Sequence, residues 1–235
     1  MPAQELNCAN CGAAIDVRTV RGMVAACTYC GTSFVVPETM TPEPTMGNLL
    51  LGADFRDPEL PGWLVSTPDN LEFRPGSPAE LWATFAASDL IHPVIRTPGP
   101  LDDFDAGVTI RFISGVHDYV SAGFEVRSWD TGDYVVRISA QGTFNIGWHE
   151  KGAWGGDLVP WAAHPALRGN WGDRNRLRVV MRGEQMRVYL NGVVAASLRD
   201  GRFPAGRLRV MVGPGKAGAA TVAYSDAQIR ELLPD

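Results

Sequence analysis

The 235-residue sequence predicts a mainly β protein in two parts, a small cysteine-rich module and a large two-sheet antiparallel β-sandwich. Three observations carry this. Residues 175–198 (NRLRVVMRGEQMRVYLNGVVAASL) read as a three-strand meander. About a dozen short segments in all alternate apolar and polar residues, and helical periodicity is almost absent. The four cysteines all fall within the first 30 residues, as two C-x-x-C pairs.

The amino-terminal module comes first. Cys8 and Cys11 lie 15 residues ahead of Cys27 and Cys30, counted between the pairs, and a glycine (Gly12, Gly31) trails each pair. This is the spacing of a four-thiolate zinc site, with each pair on a tight turn and two such knuckles closing a tetrahedron. Between and after them, residues 14–20, 22–26 and 33–36 suit a short hairpin and a third strand. The pattern resembles the zinc-ribbon family over residues 6–36. The rival readings are a disulfide pair or a redox C-x-x-C. The absence of a leader-like start argues against the first, and the absence of a βαβ context against the second. With Cys at all four positions no ligand site is left for water, so the Zn2+ is expected to be structural, and its binding would supply the folding energy of so small a unit. Arg18 and Arg21 against Glu5 and Asp16 make no basic patch, so the ribbon (1–36) points to protein docking or a cap rather than nucleic acid.

Residues 37–48 are proline-rich, acidic and aperiodic, and read as an extended linker. From Glu38 to Glu59 the acids outnumber the bases five to one. The sandwich is expected over 49–235. Short strands are predicted at 63–65, 71–74, 81–86 and 94–96, separated by Pro- and Gly-bearing turns. Val108, Ile110 and Phe112 alternate with polar neighbours, as do Phe124 and Val126, then Tyr134, Val136 and Ile138, then Phe144, Ile146 and Trp148. In the meander, Leu177, Val179 and Met181 oppose Arg176, Arg178 and Arg182. Asn191-Gly192 is the dipeptide suited to a type I′ turn, where both central residues need positive φ. Leu208, Val210 and Val212 form another strand, and 220–232 reads as a strand closing in a helical turn.

The order of these pieces resembles the concanavalin A-like (laminin G-like) jelly rolls, and more narrowly the bacterial domain related to 3-keto-disaccharide hydrolases. The residues that carry the likeness are Asp54-Phe55, Trp63, Phe104-Asp105, 123–127 (GFEVR), 134–138 (YVVRI), Trp161, 175–179 (NRLRV), 188–192 (VYLNG) and 206–208 (GRL). It covers about 49–233. The resemblance implies the fold and leaves the activity open, since such sandwiches serve lectins, glycosidases and adhesion modules alike.

A glycosidase needs two carboxylates across a cleft. The Glu-x-Asp-x-Glu run of the glucanase branch is missing, and Glu125 sits mid-strand on a polar face without a sequence-near partner. Catalytic residues are therefore not expected. His92, His117, His149 and His164 show no metal-ligand spacing, and Gly213–Gly218 lacks the spacing of a phosphate loop and reads as a turn. Four of the seven tryptophans, Trp148, Trp154, Trp161 and Trp171, fall within 24 residues of a stretch that reads as loop. Indole faces stack on sugar rings, and nearby polar groups fix hydroxyls. A glycan platform is expected from Trp148, Trp154 and Trp161 with His149 and Asp157. Trp148 and Trp154 have the better claim, and the plain alternative is that the indoles pin a loop to the sandwich.

A net charge of −5 gives no global help to nucleic-acid binding, no apolar run approaches the roughly 18 residues of a spanning helix, and the start MPAQELNC does not read as a signal peptide. The sequence thus predicts a cytoplasmic, non-catalytic recognition module with a glycan as partner, or alternatively a protein-docking module, with glycoside hydrolysis as the third reading and no nucleic-acid or membrane partner.

Overall fold

The computed structural model describes residues 46–233 in full, together with the backbone of four short strands ahead of them: β1 (Leu6–Asn7), β2 (Ala14–Ile15), β3 (Val24–Ala26) and β4 (Ser33–Val35). β1 pairs with β2 and β3 with β4, both antiparallel. Cys8, Cys11, Cys27 and Cys30 lie outside the described residues. Among the described residues no helix is long and apolar enough to cross a membrane.

Fifteen strands follow: β5 (Met46–Ala53), β6 (Leu64–Val65), β7 (Leu71–Arg74), β8 (Glu80–Phe85), β9 (His92–Arg96), β10 (Phe104–Ser114), β11 (Ser121–Trp129), β12 (Gly132–Ser139), β13 (Thr143–Glu150), β14 (Ala153–Ala163), β15 (Arg174–Arg182), β16 (Gln185–Leu190), β17 (Val193–Arg199), β18 (Arg207–Gly213) and β19 (Ala220–Leu232). One sheet runs β17-β16-β15-β10-β19-β8-β7, with β5 also beside β19; the other runs β14-β13-β12-β11-β18-β9-β6. Every pairing is antiparallel. The mainly β, two-sheet sandwich expected from the alternation is what forms.

The alternation also explains the core. Val108, Ile110 and Phe112 on β10, Leu177 and Val179 on β15, and Phe124, Tyr134, Val136, Ile138, Phe144 and Ile146 on the facing sheet are all buried. Each such side chain contributes roughly 1.5–3 kcal/mol on leaving water. Tyr224 crosses the interior from β19 and donates its hydroxyl hydrogen bond to the Met211 carbonyl on β18 (2.8 Å), tying sheet to sheet. The meander has the expected register, Val179 opposite Val188 and Met181 opposite Met186. At the turn, Asn191 and Gly192 adopt φ of 50° and 83°, as type I′ requires.

Three features depart from expectation. Residues 153–163 are not loop but an 11-residue strand, β14, at the end of the seven-stranded sheet. Gly155-Gly156 and Pro160 look like loop residues, and an end strand tolerates both because, among the described residues, one of its edges pairs with no strand. The final segment stays extended to Leu232 instead of closing in a helical turn. At Asp226 (φ 52°) it kinks and changes neighbour, from β8 to β5. Finally, β5 opens at Met46, within the stretch read as linker, and is mostly exposed, so no alternation marked it.

Candidate functional site

In the seven-stranded sheet, residues of one parity face the core and those of the other face outward. On β12 the outward set is Asp133, Val135 and Arg137; on β13 it is Asn145, Gly147 and His149. Glu125 on β11 and Arg209 on β18 sit opposite each other in register and project to the same outer face. These residues surround a cleft of about 740 Å3, lined among others by Glu125, Trp129, Asp133, Arg137, His149 and Trp154.

The floor of the cleft is a charge network. Arg209 Nη1 donates to Glu125 Oε2 (3.1 Å). His149 Nδ1 lies 2.8 Å from Asp133 Oδ1, and Ser128 Oγ donates to Asp133 Oδ2 (3.3 Å). One ligand-capable atom each from Glu125, Asp133 and His149 falls within 4.8 Å of the others. Glu125 and Asp133 are both buried. Burial, reinforced by the Asp133 charge, raises the Glu125 pKa, and the Arg209 charge opposes it.

The wall on the β14 side is aromatic. The Arg137 guanidinium carbon lies 4.8 Å from the Trp154 ring and 4.9 Å from the Trp161 ring, so the cation stands against both indoles. Trp154 also meets His149 edge to face (5.2 Å) and rests over Gly147, where a Cβ would overlap the indole. Arg137 Nε donates to Asn145 Oδ1 (3.0 Å), while Asn145 Nδ2 donates to Asp157 Oδ1 (2.9 Å) and to the Val159 carbonyl (2.8 Å).

Of the residues expected to form a platform, His149 and Trp154 line the cleft and Trp161 adjoins it across Arg137. Asp157 acts behind them, through Asn145. Trp148 is a correction. It neighbours Gly147 and His149 along β13 and therefore points to the other face, where it packs against the core, covers Gly155 and carries Arg202 on its ring (4.5 Å). Trp171 is elsewhere, edge-on to His117 (5.5 Å).

Trp129, Asp133, Arg137 and Arg209 escaped the sequence reading, and Glu125 is weighed there and set aside for want of a partner. A signal existed for the acids. Glu125 and Asp133 both fall on the polar parity of their strands, either side of the turn at residues 130–131, so the partner that Glu125 seemed to lack was one hairpin away.

No family model matches the chain, and no curated protein matches it. Solved structures do. The carbohydrate-binding module CBM66 from Bacillus subtilis aligns at 15% identity and a TM-score of 0.53, covering 72% of this chain and 96% of that one. The Bacillus licheniformis β-glucanase aligns at 9% identity and 0.58, covering 78% and 98%. The laminarinase catalytic domain from Thermotoga maritima aligns at 12% identity and 0.58, covering 81% and 100%. The chain is similar to these in fold: its two sheets form a concanavalin A-like jelly roll of the same kind.

Proposed function

We propose that the sandwich is a non-catalytic module that recognises a glycan on the outer face of its seven-stranded sheet. The observation that carries this is the pairing of two half-exposed indoles, Trp154 and Trp161, with a cleft floored by carboxylates, an imidazole and guanidinium groups. Aromatic faces take the C–H side of a sugar ring, and carboxylates and guanidinium groups answer its hydroxyls. The fold likeness to a carbohydrate-binding module supports the same reading. The same proposal includes a structural Zn2+ held by Cys8, Cys11, Cys27 and Cys30, a cytoplasmic location and a protein partner for the ribbon.

One observation favours a second reading, glycoside hydrolysis. Glu125 and Asp133 bring carboxylate oxygens within 4.8 Å of each other in a cleft, and retaining enzymes hold their two carboxyl groups about 5–5.5 Å apart. Against it, both acids are already bonded, Glu125 to Arg209 and Asp133 to His149 and Ser128, an arrangement that suits fixed hydrogen-bond acceptors better than a nucleophile or a proton donor. A glycan array read with the wild-type chain and with Trp154→Ala decides the main reading. Binding lost in the variant supports it, and absence of binding to every glycan refutes it. Release of reducing ends from a bound glycan would replace binding by hydrolysis.

A further inference from the structure

Arg137 narrows the kind of glycan, on the premise of the glycan reading above. It projects from β12 into the cleft, held by Trp154 and Trp161 and fixed at Nε by Asn145. Asn145 is itself fully buried and bonded to Asp157 and Val159, so the guanidinium cannot swing without breaking that chain. The other charged groups of the cleft already have partners: Glu125 pairs with Arg209 (3.1 Å), Asp89 with Lys216 (2.9 Å), and Asp133 accepts a hydrogen bond from Ser128 and lies 2.8 Å from His149 Nδ1, with Asp130 the exposed exception. Among the described residues no carboxylate lies within ion-pair distance of Arg137, and neither of its terminal nitrogens donates a hydrogen bond. Asp157, the acid whose field it feels, is spent on Asn145.

The result is a half-buried cation in a rigid pose, with its two-nitrogen fork unused. Removing a charge from water without a counter-ion is costly, and indole faces offset only part of that cost. A fork of parallel N–H donors matches an oxyanion better than a lone hydroxyl, because two charge-assisted bonds form at once. We infer that the ligand is an acidic glycan, whose uronate carboxylate or sulfate ester seats on the terminal N–H groups of Arg137 while a ring stacks on Trp154 or Trp161.

The test is isothermal titration calorimetry on the full chain with four saccharides: trigalacturonic acid, its methyl ester, a sulfated galactose oligosaccharide and neutral galactotriose. The acid or the sulfate should bind at least ten times more tightly than the ester and the neutral sugar, and the stronger of the two identifies the oxyanion. Arg137→Lys, which keeps the charge and loses the fork, should weaken that ligand ten-fold or more and weaken the neutral ones by at most two- to three-fold. The acid–ester comparison uses the unaltered protein and so holds whatever the variant's stability. Acid and sulfate both binding no more tightly than the ester and the neutral sugar, or an Arg137→Lys variant with unchanged affinity for the tight ligand, overturns the inference. If neutral sugars alone bind and Trp154→Ala abolishes that binding, the glycan reading stands and the acidic ligand falls. If none of the four binds, the acidic ligand falls, and the glycan array decides whether the glycan reading falls with it.

Discussion

Arg127 offers the sharpest test of how the sandwich holds together. It lies on β11 with a φ of 53° and is 1% exposed, and it spends its guanidinium on the chain itself. Nε and Nη2 donate to the Asp102 carbonyl (3.2 and 2.8 Å), Nη1 donates to the Phe203 carbonyl (3.1 Å), and Asp103 Oδ1 stands 3.5 Å from Nη2. It thereby pins the entry of β10 and the loop before β18 to one strand end. Arg127→Ala strips the donors from two carbonyls; orphaning the buried one, of Phe203, costs about 1–3 kcal/mol, and that of the exposed Asp102 costs less because water can replace the donor, so about 3 kcal/mol in all. For a domain of this size that is about 6–12 °C in the melting temperature. The half-exposed Asp103 adds little, because solvent screens it. Arg127→Gly makes the same deletion but relieves a backbone that costs an L-residue about 1 kcal/mol, and so should unfold later than the alanine variant. Scanning calorimetry with urea unfolding measures both. A loss below about 3 °C for Arg127→Ala, or a glycine variant weaker than the alanine one, would refute this account.

Two further predictions concern titration and metal. The Glu125 pKa is raised in the fold above its usual 4.5 by burial and by Asp133, so the native state binds the extra proton. The stability this group contributes is therefore complete below the ordinary carboxylate range and is lost as pH rises through the folded value. Urea midpoints taken from pH 4 to 7 should shift in favour of Glu125→Gln over wild type as pH climbs, and parallel curves would contradict the sign. At the amino terminus, elemental analysis of the full chain should find one zinc per chain, lost in Cys27→Ser. Four free thiols without metal, or two disulfides, would dispose of the zinc site.

The sandwich was legible where burial imposes a period. The meander shows its alternation because Leu177, Val179 and Met181 are sealed in the core while Arg176, Arg178 and Arg182 are not. β14 was illegible for the converse reason. As an end strand it leaves most residues on both faces open to water, so hydropathy has no period, and register shifts against β13 break what remains. The same shifts hid the fate of the tryptophans. Trp148 and Trp154 lie on neighbouring strands, and whether they share a face depends on the register between those strands, which composition does not encode. Arg137 was passed over because an arginine on a polar parity looks like any solvated residue until the indoles of another strand are seen beside it.

Gly147 and Gly155 have a consequence that reaches past this one chain. Each is the seat of the other strand's indole: Trp154 rests over Gly147 on the outside, and Trp148 over Gly155 on the inside. A methyl group at either position would evict its tryptophan, so neither glycine can gain a side chain while its partner indole stays in place. Homologues can be sorted on that coupling without any structure. A descendant that keeps glycine at 147 and tryptophan at 154 has inherited the outer wall. One that has gained a side chain at 147 has given that wall up, however faithfully it preserves the acids beneath.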